Sequence, residues 1–251
     1  MVWLFHSFFF QPLFNVLVAI YNFLPNHDLG LSIIILTILV KAALFPISWK
    51  QIKAQKEMQD IQPHLEEIKA RYKDDKQALM QAQVELFKQH KINPLSSCLP
   101  VLVQLPFLIA IYWVFINGLR DQSLNDLYSF VQNPGHLNSS FLGIMTLTTT
   151  HTLVLPIIAG AMQFVQTWML NTKRPPKVAG SKDEDFAVIM NRQMMVVMPL
   201  MTVWIGYQFP AGLALYWLTN TVITVGQQLA FLRHGKNKAA AIEVLPPAPA
   251  Q

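Results

Sequence analysis

Cysteine is almost missing from this sequence. Cys98 stands alone among 251 residues, which excludes a disulfide framework and a cysteine-based zinc site. Charge is scarce as well: 13% of residues are Asp, Glu, Lys or Arg, against about 25% in an ordinary soluble domain. No HExxH, GxSxG or phosphate-binding glycine loop is present, and no pair of carboxylates at catalytic spacing. The seven histidines, His6, His27, His64, His90, His136, His151 and His234, stand at no metal-ligand spacing. These gaps exclude disorder, a collagen-like fibre and an ordinary cytosolic enzyme. The expectation is no enzymatic activity, no cofactor and no metal. Hydrophobic residues fill the space, at 53% of the chain and a mean hydropathy of +0.33. A net charge of +5 suits nucleic acid or a membrane surface. The placement of the charges favours the membrane, with no specific nucleic-acid sequence as partner.

No Lys or Arg precedes Lys41, so the aromatic opening (Trp3, Phe5, Phe8, Phe9, Phe10, Phe14) lacks the positive n-region of a signal peptide. Gln11, Pro12 and Asn15 interrupt it, and 3–24 reads as an interfacial amphipathic helix with its aromatics in lipid. The alternative is a sixth span. Five later stretches, roughly 29–49, 97–118, 150–170, 193–209 and 211–232, approach the ~20 apolar residues that cross a bilayer. The last two are separated by Phe209-Pro210-Ala211-Gly212, which predicts an antiparallel hairpin. Segments 50–93, 171–193 and 233–238 hold 17 of the 19 basic residues. Five spans put all three on one side, and the positive-inside rule makes that side cytoplasmic. The N-terminus, 119–149 and the 209–212 turn then lie outside, with the C-terminus in the cytoplasm. The fold class is therefore all-α and polytopic. It divides into an interfacial helix (1–27), a membrane core (28–232) and a basic, then Pro/Ala-rich tail (233–251).

Segment 50–93 is charged, lacks glycine and repeats apolar residues at helical spacing: Ile52, Met58, Ile61, Leu65, Ile68 and Tyr72, then Leu79, Ala82 and Leu86. It predicts a cytoplasmic two-helix hairpin, bent at Pro63, with Asp74-Asp75 at the turn and Asn93-Pro94 ending the second helix. Glu67 and Arg71 are spaced for a surface ion pair. A plain linker of this length would be unusual, and a docking role for a partner is the reading favoured.

Polar residues recur inside the spans. Thr37, Lys41 and Ser48 share a face of the first. The second carries Gln104 and Tyr112, and the third Gln163 and Gln166. The fifth carries Tyr216, Asn220, Thr224 and Gln227 or Gln228 at helical spacing, beside Trp217. A lysine near mid-span is costly, by about 2.5–3.5 kcal/mol on insertion scales. Without an acidic partner in the spans, a water-filled cavity is its natural compensation. The alternatives are snorkelling for Lys41 and interhelical hydrogen bonding for the neutral groups. Met190, Met194, Met195, Met198 and Met201 crowd the fourth span, as an adaptable apolar surface or as gap filler.

These residues together resemble the YidC family of membrane protein insertases. The resemblance rests on Leu29-Gly30, Leu36-Thr37-Ile38-Leu39-Val40-Lys41, Pro46 and Met58-Gln59-Asp60-Ile61-Gln62-Pro63. It extends through Asn93-Pro94-Leu95, Cys98-Leu99-Pro100 and Gln104-Leu105-Pro106 to Pro210-Ala211-Gly212-Leu213-Ala214-Leu215-Tyr216-Trp217 and Gln227-Gln228. It implies a five-span core with a cytoplasmic hairpin and a hydrophilic groove that receives nascent membrane segments, without nucleotide hydrolysis. Lys41 stands where the family usually has Arg, and Gln166 and Trp217 match groove positions. Joined with the polar residues read from the spans, these give an expected substrate-contacting set of Lys41, Thr37, Gln104, Gln163, Gln166, Tyr216, Trp217 and Asn220. Implied partners are nascent membrane proteins and the lipid bilayer, with the ribosome and the Sec translocon as open further partners. The short basic tail argues against ribosome binding through a long C-terminal extension. The large extracytoplasmic domain of some Gram-negative members, a lipoprotein signal and a mitochondrial presequence are not seen, so a bacterial plasma membrane is expected. The rival readings are a small-solute transporter, for which no inverted repeat is evident, and a membrane assembly scaffold.

Overall fold

A computed structural model describes residues 2–72, 75–93, 99–118, 121–170 and 182–235. The fold is mostly helical. Helix α1 joins Val2–Phe5, a π-helical turn at His6–Phe10, and Gln11–Phe23. Pro12 lies at the start of its last segment, where its ring and missing N–H disturb the preceding turn and widen it. The helix expected over 3–24 is present, and it runs through Gln11, Pro12 and Asn15. Asn15 is buried and bonds outward to another segment, as described below. Trp3–Phe23 is long and apolar enough to cross a membrane.

The first expected span is broken rather than straight. Helix α2 (Leu29–Ala43) ends at Leu44, and α3 (Phe45–Asp60) leaves at a bend of 72°. Pro46, in the first turn of α3, cannot donate to the helix behind it. The chain continues through α4 (Gln62–Arg71) and α5 (Lys76–Gln89), which pack as the two arms of the hairpin. Its break falls at Ile61, with Pro63 in the first turn of α4 rather than at the bend itself. The seam is Ile61, Leu65 and Leu86, flanked by Met58, Ile68, Phe87 and Ile92. Asp75 caps α5, accepting from Gln77 N and Ala78 N at 3.0 Å. Helix α5 stops before Asn93-Pro94. Lys91 takes a positive φ of 53°, and Ile92 N bonds back to Phe87 O at 2.9 Å, a Schellman ending sealed by their apolar side chains. Glu67 lies 3.6 Å from His64 instead of pairing with Arg71, while Lys53–Glu57 and Lys56–Asp60 supply the i,i+4 pairs.

Helix α6 is Leu99–Trp113, prolonged by a π-helical turn at Val114–Gly118. A two-residue antiparallel ladder, Ser140–Phe141 (β1) with Met145–Thr146 (β2), is a small departure from the all-α expectation. Then come α7 (Val154–Leu170), α8 (Lys182–Gln208) and α9 (Ala211–Gly235). Helix α8 starts eleven residues before the expected boundary at 193. The hairpin expected from α8 and α9 is a hairpin in connection only. Both pack chiefly on α7 and touch each other much less. Small residues allow this: a Cβ added at Gly160 would fall 2.6 Å from Val203 Cγ2 and 2.9 Å from the Pro199 carbonyl oxygen.

The main core joins Phe10, Phe14, Leu17 and Tyr21 of α1 to α2 (Leu29, Ile33, Leu36), α6 (Ile111, Phe115) and the start of α9 (Leu213 to Tyr216). All of it gathers at one end of the bundle. There α1 is laced to the connection between α6 and α7: His6 to Asp126 at 3.3 Å, Asn15 to Asp126 O at 3.0 Å, Asn22 to Gln132 O at 2.6 Å. Asp28 caps α2 through Leu31 N at 2.8 Å and also accepts from Leu142 N at 2.5 Å. Ala211 N and Gly212 N bond Thr149 O and Leu147 O at 2.9 Å. Phe141 lies against Gly30 and Phe115 against Gly212, where any Cβ would collide with the ring.

Candidate functional site

Residues 41, 44, 48, 51 and 55 repeat at steps of three and four, so one stripe runs down α2, across the bend and along α3. Its Lys41, Ser48, Gln51 and Gln55 form one wall of a cavity of about 300 Å³. Helix α9 faces it with Tyr216, Asn220, Thr224 and Gln227, again at helical spacing. Gln104 of α6 and Gln166 of α7 complete the polar lining, and Leu105, Phe107 and Leu108 make it apolar on the α6 side. No Asp or Glu is among the lining residues described.

Lys41 Nζ donates to Thr224 Oγ1 at 3.1 Å, and that hydroxyl donates in turn to the Asn220 carbonyl at 2.7 Å. Lys41 is thus held by a neutral dipole, and no carboxylate among the described lining residues stands by to compensate its charge. Gln104 donates to the buried Tyr216 hydroxyl, tying α6 to α9. Four solvent-shielded side-chain atoms of the lining have no protein partner: Gln51 Nε2, Gln55 Oε1, Asn220 Oδ1 and Gln227 Oε1. Buried polar groups are normally satisfied, so this lining is suited to water or to a polar guest.

Seven of the eight residues singled out from the sequence meet here: Lys41, Thr37, Gln104, Gln166, Tyr216, Trp217 and Asn220. Thr37 does so with its hydroxyl bonded to Ile33 O at 2.6 Å. Gln163 is not among the lining residues; it accepts a hydrogen bond from Thr202 and so links α7 to α8. Tyr112 stacks edge-on against Phe209 in the core. Met198 and Met201 point outward, exposed on α8, whereas the side chains of Met190 and Met194 lie outside the described residues. Sequence reasoning missed Gln51 and Gln55 because they fall inside the charged segment beyond Trp49. The unbroken stripe from Lys41 was the available signal.

The chain as a whole is similar to known proteins. The 60Kd inner membrane protein family profile matches residues 19–238. This chain belongs to that family, the YidC-type membrane protein insertases. It is 38% identical over 229 residues to "Membrane protein insertase YidC" of Fusobacterium nucleatum, covering 89% of this chain and 98% of that relative. The proteins of the same name from Pelobacter propionicus and Cupriavidus necator are 35% and 36% identical, over 87% and 92% of this chain. The chain spans 37% of the length of each of these two. YidC-type insertases are inner-membrane proteins that act on nascent membrane proteins, and they are not enzymes.

Proposed function

We propose that this chain inserts nascent membrane segments by receiving their hydrophilic flanks in the cavity around Lys41 and releasing their apolar part to lipid. The observation that carries the reading is an uncompensated cation in a cavity with four unpartnered polar atoms. Moving a polar tail through hydrocarbon is costly because its groups lose water. A hydrated cavity shortens the dry path, and Lys41 attracts acidic tail residues at a lower effective dielectric than water provides. Thr37, Gln104, Gln166, Tyr216, Trp217 and Asn220 keep the path polar. The following apolar segment leaves sideways, driven by its own partition into lipid, with no nucleotide in the cycle.

The proposed topology is five spans, with α1 in the outer interface and the α4–α5 hairpin and C-terminus cytoplasmic. Two observations support the place given to α1, and the distribution of basic residues over 50–93, 171–193 and 233–238 supports the sidedness. Polar contacts from His6 to Asn22, about 24 Å of helix at 1.5 Å per residue, all reach the single connection 126–138. A helix crossing the bilayer would meet that connection at one end only. Its opposite face, Leu4, Phe8, Val16 and Phe23, is exposed and wholly apolar, with Phe23 at 90%. The domain division proposed is 1–27, 28–232 and 233–251.

Reconstitution into liposomes tests the function. Expected is insertion of a single-span client above the level of protein-free liposomes, with no saturable uptake of small solutes. Insertion no better than protein-free liposomes refutes the reading. Replacing 62–91 by a short flexible linker, which leaves Gln51 and Gln55 on the cavity wall, separates docking from insertion: a pure scaffold would lose everything, an insertase only its recruitment of partners.

A further inference from the structure

We infer that the cavity recognises the main chain of the client, in extended form, through the carboxamides of Gln51, Gln55, Asn220 and Gln227. This deepens the insertase reading and rests on it. Lys41 can select only for acidic side chains, whereas these four groups are neutral and carry no side-chain preference. Three of their unpartnered atoms are acceptors (Gln55 Oε1, Asn220 Oδ1, Gln227 Oε1) and one is a donor (Gln51 Nε2). A polypeptide offers one N–H and one C=O per residue whatever its sequence, and a carboxamide complements both.

The spacing agrees. Gln51 and Gln55 are one turn apart on α3, about 6 Å along the axis. Main-chain groups facing one side of an extended chain recur every two residues, about 6.7 Å. One carboxamide row on α3 therefore stays in step with a strand lying along it. Asn220 and Gln227 of α9 stand across the cavity to take the groups that face the other way. A tail so held has its backbone polar groups satisfied at the stage where they leave water, which side-chain charge cannot accomplish.

The test uses the full chain in liposomes and two clients with neutral tails of equal length, one of Ala and Ser, the other of Pro and Ser. Proline has no N–H, so with Pro at three of every four positions the Pro/Ser tail offers the three acceptors no row of backbone donors at two-residue spacing. Expected with the wild-type chain is faster insertion of the Ala/Ser client. In Gln55→Leu with Gln227→Leu, at matched protein abundance, that client slows about fivefold or more while the Pro/Ser client changes by less than about twofold, as for loss of hydrogen bonds of ordinary strength. Equal slowing of both clients, or none, overturns the inference, because the amides then only hydrate the cavity. A chain carrying Leu105→p-benzoyl-phenylalanine on the apolar wall of the cavity, with all four carboxamides intact, gives a readout independent of the double variant. A tail arrested in transit should cross-link at every second residue; adducts without that alternation, or no adducts, count against it. Failure of the wild-type chain to insert either client sinks the insertase reading itself, an outcome distinct from uniform slowing.

Discussion

The ammonium of Lys41 on α2 lies 3.1 Å from the hydroxyl of Thr224 on α9, two residues 183 positions apart in sequence. A carboxylate at that point would have neutralised the lysine and made a structural ion pair. A hydroxyl holds it in place and leaves its charge available to a guest. The same contact argues against a snorkelling anchor, because the lysine stem is directed across to a neighbouring helix.

Substitutions of Lys41 should therefore sort clients by the charge of their tails. Lys41→Arg should retain activity. Lys41→Ala should slow acidic-tail clients by about tenfold, the equivalent of about 1.4 kcal/mol, and neutral-tail clients far less. Lys41→Glu should be worse, since it also repels. Insertion rates at matched protein levels measure this, and an equal loss for both client types would remove Lys41 from the mechanism.

Sidedness can be read by chemical labelling. In a Cys98→Ser background, Ser129→Cys should react with an impermeant thiol reagent from outside, and Lys177→Cys only from the cytoplasmic side. Segment 119–149 carries one basic residue and 171–193 carries five, which is the asymmetry that orients inner-membrane proteins. Reaction of both from one side is the result that would reject five spans.

Helix α1 should lie at one depth. Nitroxides at Leu4→Cys and Phe23→Cys should report similar, shallow positions by oxygen and nickel-chelate accessibility. A spanning helix would separate them by about 28 Å along the normal, which the same measurement resolves.

Gly160 should tolerate no side chain. Gly160→Val places atoms against Val203 and the Pro199 carbonyl oxygen, an overpacking that typically costs about 1–3 kcal/mol. Lower thermal stability in detergent is expected. Gly226→Ala, where a Cβ meets nothing within 4 Å, should leave stability nearly unchanged.

Composition and charge placement determined much by themselves. Scarce charge, apolar stretches of spanning length and basic residues gathered in alternating segments require a helical membrane protein, because lipid cannot satisfy an open backbone. The spacing of Lys41, Asn220 and Thr224 could also be read directly, since a helix fixes which residues share a face. Helix partnership could not. Adjacency in sequence suggests that α8 pairs with α9, but Gly160 lets α7 come close to α8, and α9 packs on α7 as well. Nor could the sequence tell that Gln163 is spent on Thr202 while Gln166, three residues on, lines the cavity. Both are amides on one apolar helix, and only the position of the neighbouring helices separates them. The bend at Leu44 is the last such case. Pro46 makes a break permissible, but packing directs it, and that direction brings Gln51 and Gln55 of a charged segment to the cavity wall.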